Sequence, residues 1–497
     1  MRQFVLAIDQ GTTGSTVALV DDQGVLCSSV NHEFPQYFPK PGWVEHDPEE
    51  IWSSVLKGIR KILAQKLCKP TQIASIGITN QRETALLWRR DTGEAVHNAI
   101  VWQCRRTADQ CEQLKRDGVE KQVQRTTGLV LDPYFSASKY AWLLQNGKGA
   151  RRLAQRGLLA AGTIDSFLLW RLSGGTLHAT EIGNASRTSL MSLRSGRWDP
   201  AMCELFGVPQ SILPEILPSS GPMTETLGVP GLPDGIPITG IAGDQQAALF
   251  GQACFKVGEA KCTFGTGSFI LMNTGDSLLR SRSGLLTTVA WQLAGEKKPS
   301  YALEGGAFVC GAAVQWLRDE LQIIKRAGDI EALAASVDDH GGVEFVPALT
   351  GLGAPYWDPH ARGTLAGLTR GSSRGHIARA TLDAMALQNA DILSAMEKDL
   401  GKRMLPLRVD GGAAANDLLM QIQANVLNRK IVRPAQIETT VIGAAYLAGL
   451  GVGLWSNTRE LKKLWQAERE FKVAMSAKAR SVRLESWRKA LRQTMTS

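Results

Sequence analysis

Short apolar runs broken by glycine turns recur along the chain. Phe4 to Ile8 is apolar throughout and too short for a helix, which predicts a buried strand. Gly11 to Gly14 predicts a turn, Thr16 to Val20 a second strand, Asp21 to Gly24 another turn, and Val25 to Val30 a third strand. Pro48 to Gln65 reads as a helix, with Asp47 as its N-cap and Pro48 at the first helical position. Ile73 to Thr79 predicts a further buried strand. The same grammar returns in the second half. Ile238 to Ile241 ends at Ala242-Gly243-Asp244, and Lys261 to Phe264 runs through Gly265-Thr266-Gly267 to Phe269 to Met272. Leu407 to Val409 meets Asp410-Gly411-Gly412, with a helix expected from about Asn416 to Leu427. The recurrence predicts an α/β fold of two domains of related architecture, residues 1–250 and 251–497.

Composition narrows the class. A chain of 497 residues exceeds one ordinary core. Hydrophobic residues at 44% and charged residues at 21% exclude a disordered chain. The net charge of +9 comes without a Lys/Arg block interleaved with aromatics, so nucleic acid is not an expected partner. A mild positive field suits an anionic substrate such as Mg-ATP equally well. The eight cysteines form no C-x-x-C pair and no zinc spacing, which points to free thiols in a reducing cytosol. The start of the chain carries no export signal. Val441 to Trp455 falls short of the roughly 18 apolar residues of a membrane span. Its Gly and Ala predict a tightly packed buried helix, so a cytoplasmic chain without stable membrane insertion is expected.

The candidate chemistry sits where strands meet glycine turns. In Ile8-Asp9-Gln10-Gly11-Thr12-Thr13-Gly14, an acid at a strand end precedes a Gly/Thr turn. Backbone N–H groups and hydroxyls there can surround a phosphate, and the carboxylate can hold magnesium. An ordinary hairpin explains the same residues equally well. No Walker A pattern and no protein-kinase H-R-D or D-F-G set occurs. Gly265-Thr266-Gly267 and Asp410-Gly411-Gly412-Ala413 read as glycine turns between a strand and its continuation. Singly each is weak; together they suit a nucleotide held between two domains. Asn80-Gln81-Arg82-Glu83-Thr84 follows a buried strand, and an Arg beside a Glu offers donors and acceptors to a polyol. A solvated turn is the plain alternative. Asp244 reads either as a helix N-cap or as a general base.

Taken together these segments resemble the glycerol kinases of the FGGY carbohydrate-kinase family, which share the actin-like, ribonuclease H-like ATPase fold. The likeness spans nearly the whole chain. It is carried by Asp9 to Thr13, Pro41 to Pro48, Gly77 to Thr84, Trp102 to Thr107, Asp132 to Ser136, Gly240 to Gln246, Gly351 to Pro359 and Val409 to Gly412. The resemblance implies two actin-like domains around a cleft. It implies ATP-dependent phosphorylation of glycerol to sn-glycerol 3-phosphate, and a homo-oligomer, dimer or tetramer. Arg82, Glu83, Tyr134, Asp244 and Gln245 match positions that hydrogen-bond glycerol, and Trp102 and Phe269 match walls for its carbons. Asp244 matches the catalytic base and Asp9 the carboxylate near magnesium. Thr12, Thr13, Gly14, Thr266, Gly311, Gln315, Gly412 and Asn416 match nucleotide positions. Residues 1–250 would thus serve mainly glycerol and 251–497 mainly the nucleotide. The chain departs from the family at Thr16, where an Arg is usual, and at Gly14, where a Ser is usual.

Two rival readings remain at this stage. A family member acting on a larger sugar would need a wider pocket than Arg82, Glu83, Trp102 and Phe269 imply. A chaperone-type ATPase would carry a β-rich module after its ATPase, but Asp410-Gly411-Gly412 and its helix leave no room for one. Regulation departs from bacterial relatives. The tail after Phe471 lacks the segment that binds a sugar-transport regulatory protein, and no His stands near residue 230. Gly231-Leu232-Pro233-Asp234-Gly235 also lacks the Arg of members inhibited by fructose 1,6-bisphosphate. A titration of initial rate with the bisphosphate at saturating ATP should therefore show weak inhibition or none. Strong saturable inhibition would mean that another basic group serves the site.

Overall fold

The first strand shows how the sequence builds the architecture. In the computed structural model, which describes residues 2–495, it spans Phe4–Gln10 and is covered on both faces. Side chains alternate across a strand. Phe4, Leu6 and Ile8, with Val17 and Leu19 of the neighbouring strand, pack on Ile51, Trp52, Val55, Ile59 and Ile62 of the helix Pro48–Ala64. Val5, Ala7, Ala18 and Val20 face the other way, onto Val441, Ile442, Ala445 and Ala448 of the helix Thr439–Gly451. The bulkier face thus meets an ordinary amphipathic helix. The smaller face meets one that comes from the far end of the chain.

Two sheets share one plan. The first runs in the order Ser220–Glu225, Pro237–Gly243, Ile73–Asn80, Phe4–Gln10, Gly14–Asp21, Leu26–Glu33. The second runs Leu286–Trp291, Ser300–Ala307, Ser268–Gly275, Ala260–Phe264, Leu407–Asp410, Ile431–Pro434, Ala467–Phe471. In each, an antiparallel meander is extended by two parallel strands. The tips of the parallel strands are Gln10, Asn80 and Gly243 in one sheet and Phe264 and Asp410 in the other. Strand carboxyl ends are where α/β sheets hold ligands. A long insertion between Asn80 and Ser220 forms helices and a smaller sheet that includes Ala85–Arg89 and Leu159–Thr163.

Most expected elements occur with extended ends. The second and third strands are Gly14–Asp21 and Leu26–Glu33, and the helix after Asn416 is Asp417–Leu427 with Asn416 as its cap. Two expectations need correction. Asp410-Gly411-Gly412 does not join a strand to its continuation: a 3₁₀ turn, Gly412–Ala415, follows and leads into that helix. Nor is Asn80 to Thr84 a solvated turn, since Arg82 and Glu83 are 3% and 2% exposed. The Gly/Ala-rich segment is the buried helix Thr439–Gly451. No helix among the described residues is long and apolar enough to cross a membrane.

Small residues bring the two halves together. The helices Asp244–Gly251 and Thr439–Gly451 approach backbone to backbone at Gly251 and Gly443. A Cβ on Gly443 would lie 1.8 Å from the Ala247 carbonyl oxygen, and one on Gly251 would lie 2.0 Å from that of Thr439. No side-chain rotation relieves a clash with backbone. Gly443→Ala should therefore destabilise by at least about 1–3 kcal/mol, the usual range for overpacking. The exposed Gly328, where a Cβ meets no atom within 4 Å, is the control and should stay within about 0.5 kcal/mol. Equilibrium urea unfolding checks both.

Candidate functional site

Arg82 is the pivot of a buried corner at the end of Ile73–Asn80. Its guanidinium donates from Nη1 to Glu304 Oε2 at 2.6 Å and from Nη2 to Glu304 Oε1 at 3.0 Å. Its Nε lies 3.2 Å from Asp244 Oδ1, Nη1 also reaches Gln246 Oε1 at 3.2 Å, and Nη2 reaches Tyr134 Oη at 3.4 Å. Glu83, next along the chain, has a left-handed backbone with φ of 58°, uncommon for a residue with a side chain. Arg187 Nε donates to Glu83 Oε1 at 2.6 Å, and Ser136 Oγ donates to the Glu83 carbonyl at 3.0 Å. Arg187 Nη2 closes the ring on Glu304 Oε1 at 2.9 Å.

Burial and pairing compete in this ring. Burial alone would raise Glu304, but Arg187 and Arg82 outweigh it and hold its carboxyl down at about 2. Glu83 is raised by burial against the pull of Arg187 and Arg82. Trp102, Tyr134 and Phe269 wall the corner: the Trp102 ring stands edge-on to Tyr134 at 5.7 Å and to Phe269 at 6.4 Å between centroids. The Trp102 indole N–H donates to Thr12 Oγ1 at 3.0 Å, so the aromatic corner touches the first glycine turn. Lys139, fully buried, donates from Nζ to the carbonyls of Tyr134 and Phe135 and steadies that loop.

Asp244 is not the N-cap. Gly243 takes that position and Asp244 is the first residue of the helix. Its Oδ1 accepts from the Gln245 backbone N–H at 2.7 Å, and a third of its side chain stays exposed. Buried Lys261 donates from Nζ to Gln245 Oε1, and at 2.7 Å to Thr263 Oγ1, which donates in turn to Asp410 Oδ1 at 2.5 Å. Gln252 and Thr439 donate to the other oxygen of Asp410, at 2.8 and 2.6 Å. Asp410 thereby accepts three internal hydrogen bonds. Asp9 is the contrast. Burial pushes its carboxyl up to about 8, Asp244 and Glu438 add to the shift, and no hydrogen bond offsets it. The Thr79 hydroxyl, in parallel register with Asp9, is buried without a partner.

The second-half positions expected to hold a nucleotide meet at one cavity. Thr266, Gly311, Gln315, Gly412 and Asn416 all line a space of about 400 Å³. The turn before it is tied down by backbone: Gly311 N–H donates to the Gly265 carbonyl at 3.0 Å, and a Cβ on Gly311 would lie 2.6 Å from that oxygen. Gly411, at φ of 84°, lets the chain pass the Phe264 backbone. Thr12, Thr13 and Gly14 sit instead at the tip of the first hairpin. Thr16 accepts from Asn31 Nδ2 at 3.0 Å. A groove of about 720 Å³ beside Gly93, Trp170 and Arg171 is lined by none of these residues.

Sequence reasoning missed Glu304, Arg187, Lys261, Lys139 and Gln246. For Glu304 the signal was a single charge inside an otherwise apolar or small-residue run, Tyr301-Ala302-Leu303-Glu304-Gly305-Gly306. A charge that must be buried there needs a partner.

Residues 4–251 match the N-terminal domain, and 260–452 the C-terminal domain, of the FGGY family of carbohydrate kinases. The chain is 58% identical over 491 residues to the glycerol kinase of Bdellovibrio bacteriovorus, covering 99% of both. It is 52% identical to that of Myxococcus xanthus, covering 98% of this chain and 99% of the relative. The crystal structure of Plasmodium falciparum glycerol kinase with ADP superposes with a TM-score of 0.93 at 36% identity, covering 100% of this chain and 99% of that one. By full-length sequence and by fold, this chain belongs to the FGGY family of carbohydrate kinases.

Proposed function

We propose that this chain transfers the γ-phosphoryl group of ATP to a terminal hydroxyl of glycerol, giving sn-glycerol 3-phosphate and ADP. The observation that carries the reading is the convergence of Arg82, Glu83, Trp102, Tyr134 and Asp244 on one corner that touches the first glycine turn through Thr12. Glycerol as substrate is supported by the glycerol kinases that match this chain from end to end. In this reading Arg82, Glu83, Tyr134, Asp244 and Gln245 hydrogen-bond the hydroxyls, and Trp102 and Phe269 pack the carbons. Thr12, Thr13 and Gly14 cradle phosphates, while Thr266, Gly311, Gln315, Gly412 and Asn416 hold the nucleotide. Residues 1–250 serve mainly glycerol and 251–497 mainly ATP. The buried free cysteines fit a reducing, cytoplasmic setting, and we assign the chain a homo-oligomeric state, dimer or tetramer.

Phosphoryl transfer needs mainly positioning and charge stabilisation. Asp244 keeps a partly exposed carboxylate beside Arg82 and takes the proton as the hydroxyl attacks. The aromatic walls and closure of the two halves keep out water, a rival nucleophile. Magnesium fits beside Asp9, whose carboxyl and neighbouring Thr79 hydroxyl lack internal partners. Among the described residues no three His, Cys, Asp or Glu could hold a metal alone, so phosphate oxygens would complete its shell. When bound, the ion screens the phosphate charge.

Asp244→Asn should lower kcat by roughly 10²–10⁴-fold, while glycerol binding by calorimetry weakens far less. A kcat within about threefold of wild type, far short of that range, would remove Asp244 as the base. A coupled assay of ADP release should also rank glycerol far above propanediols and five-carbon ketoses in kcat/KM. A missing hydroxyl leaves a buried polar group unpaired, worth on the order of 10⁴-fold at best. Equal activity on xylulose would overturn the assignment to glycerol.

A further inference from the structure

We propose that Glu304 is a specificity-determining residue of this site: by filling the Arg82 guanidinium fork it reserves the pocket for uncharged polyols and bars carboxylate-bearing analogues. The inference rests on the glycerol reading above. Arg guanidinium grips a carboxylate through two parallel N–H bonds, and such a fork beside a substrate pocket is ordinarily an anion-binding device. Here the anion is built in. Both Glu304 oxygens are taken by Arg82, at 2.6 and 3.0 Å, and one also by Arg187 at 2.9 Å. Glu304 is 1% exposed and lies on Ser300–Ala307 in the second sheet, whereas both cations come from the first 250 residues. Arg187 in turn holds Glu83. Two guanidiniums therefore face two carboxylates of the protein itself, and what remains toward the cleft is the Arg82 edge beside Asp244 and Tyr134.

The consequence follows from charge. Glycerol needs donors and acceptors without net charge. Glycerate carries a carboxylate in place of one hydroxymethyl group. In the wild-type pocket it meets no free guanidinium fork and faces the Asp244 carboxylate. Rejecting a rival through an unfavourable charge contact is a common route to specificity. The strong ionisation of Glu304, held at about 2, keeps the fork filled across the physiological range.

The test compares the glycerol KM with the inhibition constant of D-glycerate, competing against glycerol, in wild type, Glu304→Gln and Glu304→Asp. Glu304→Gln keeps the shape but removes one negative charge between two buried guanidiniums. The ratio of glycerol KM to glycerate Ki should rise by about tenfold or more, a modest share of the effect of leaving a buried charge unpaired. Glu304→Asp is the safer fold and keeps the charge. Its shorter arm opens the fork, so the ratio should move the same way by about threefold, less than for full loss of the charge. A purely structural role would raise the KM and the Ki together and leave the ratio flat. An unchanged ratio in whichever variant folds, checked by circular dichroism and by ATP-induced thermal stabilisation, overturns the proposal. A wild-type enzyme inactive on glycerol would instead overturn the functional reading, so the two failures are distinguishable.

Discussion

Two guanidiniums buried at one point constrain the rest of the site. Arg82 and Arg187 have left water almost entirely, and Arg187 is 0% exposed. A buried cation without a partner is destabilising by several kcal/mol. One shared partner, Glu304, comes from the other sheet. The two halves of the chain therefore cannot separate at this corner without exposing or orphaning charge. The geometry offered to a polyol, with Arg82 between Asp244 and Tyr134, exists because Glu304 fixes the far side of the same guanidinium. In the proposed function, polyol recognition and the joining of the halves are one electrostatic arrangement.

Packing supports that arrangement from behind. The Thr439–Gly451 helix lies against the first sheet, although its sequence neighbours on either side build the second. Gly77 and Gly240 make room for it: a Cβ on either would come within 2.3 Å or 2.2 Å of helix backbone. The same helix presents Thr439 to Asp410 at its start. A segment of small residues thus sets the distance between the sheets and orders the acid at the far side of the cleft. Close packing transmits such constraints because interiors have little free volume.

The fold was legible where one periodicity operated alone. The first strands and the helix after Asp47 follow from local apolar pattern and capping, and they appear within a few residues of expectation. The five second-half positions expected at a nucleotide came from the family resemblance, and the structure gathers them around one space. What was not legible depends on long-range pairing. Glu304 meets residues more than 100 positions away, and nothing in its local sequence names them. Arg82 and Glu83 read locally as a polar turn because their burial is created by Arg187, Tyr134 and Glu304, all distant in sequence. Asp244 read equally well as a cap because both roles place an acid at a helix start. Gly243 at the N-cap position removes the capping reading.

The two related sheets treat the same pair of residue types in opposite ways. In the first, Asp9 stands in parallel register with Thr79; in the second, Thr263 stands in parallel register with Asp410. Acid and threonine have exchanged strands. In the second sheet the threonine donates to the acid, and Gln252 and Thr439 complete its shell. An acid held by three donors has little left to offer a ligand, so Asp410 serves structure. In the first sheet the Thr79 hydroxyl is buried without a partner, and Asp9 has burial and two neighbouring acids working against its ionisation. A partly buried acid in that state favours its neutral form unless a cation arrives to share its charge. Thr12, at the tip of the same hairpin, is tied to Trp102, so the strand that carries Asp9 leads to the aromatic corner. Under the proposed reaction, the asymmetry leaves Asp9, not Asp410, as the acid of this pair open to a cation.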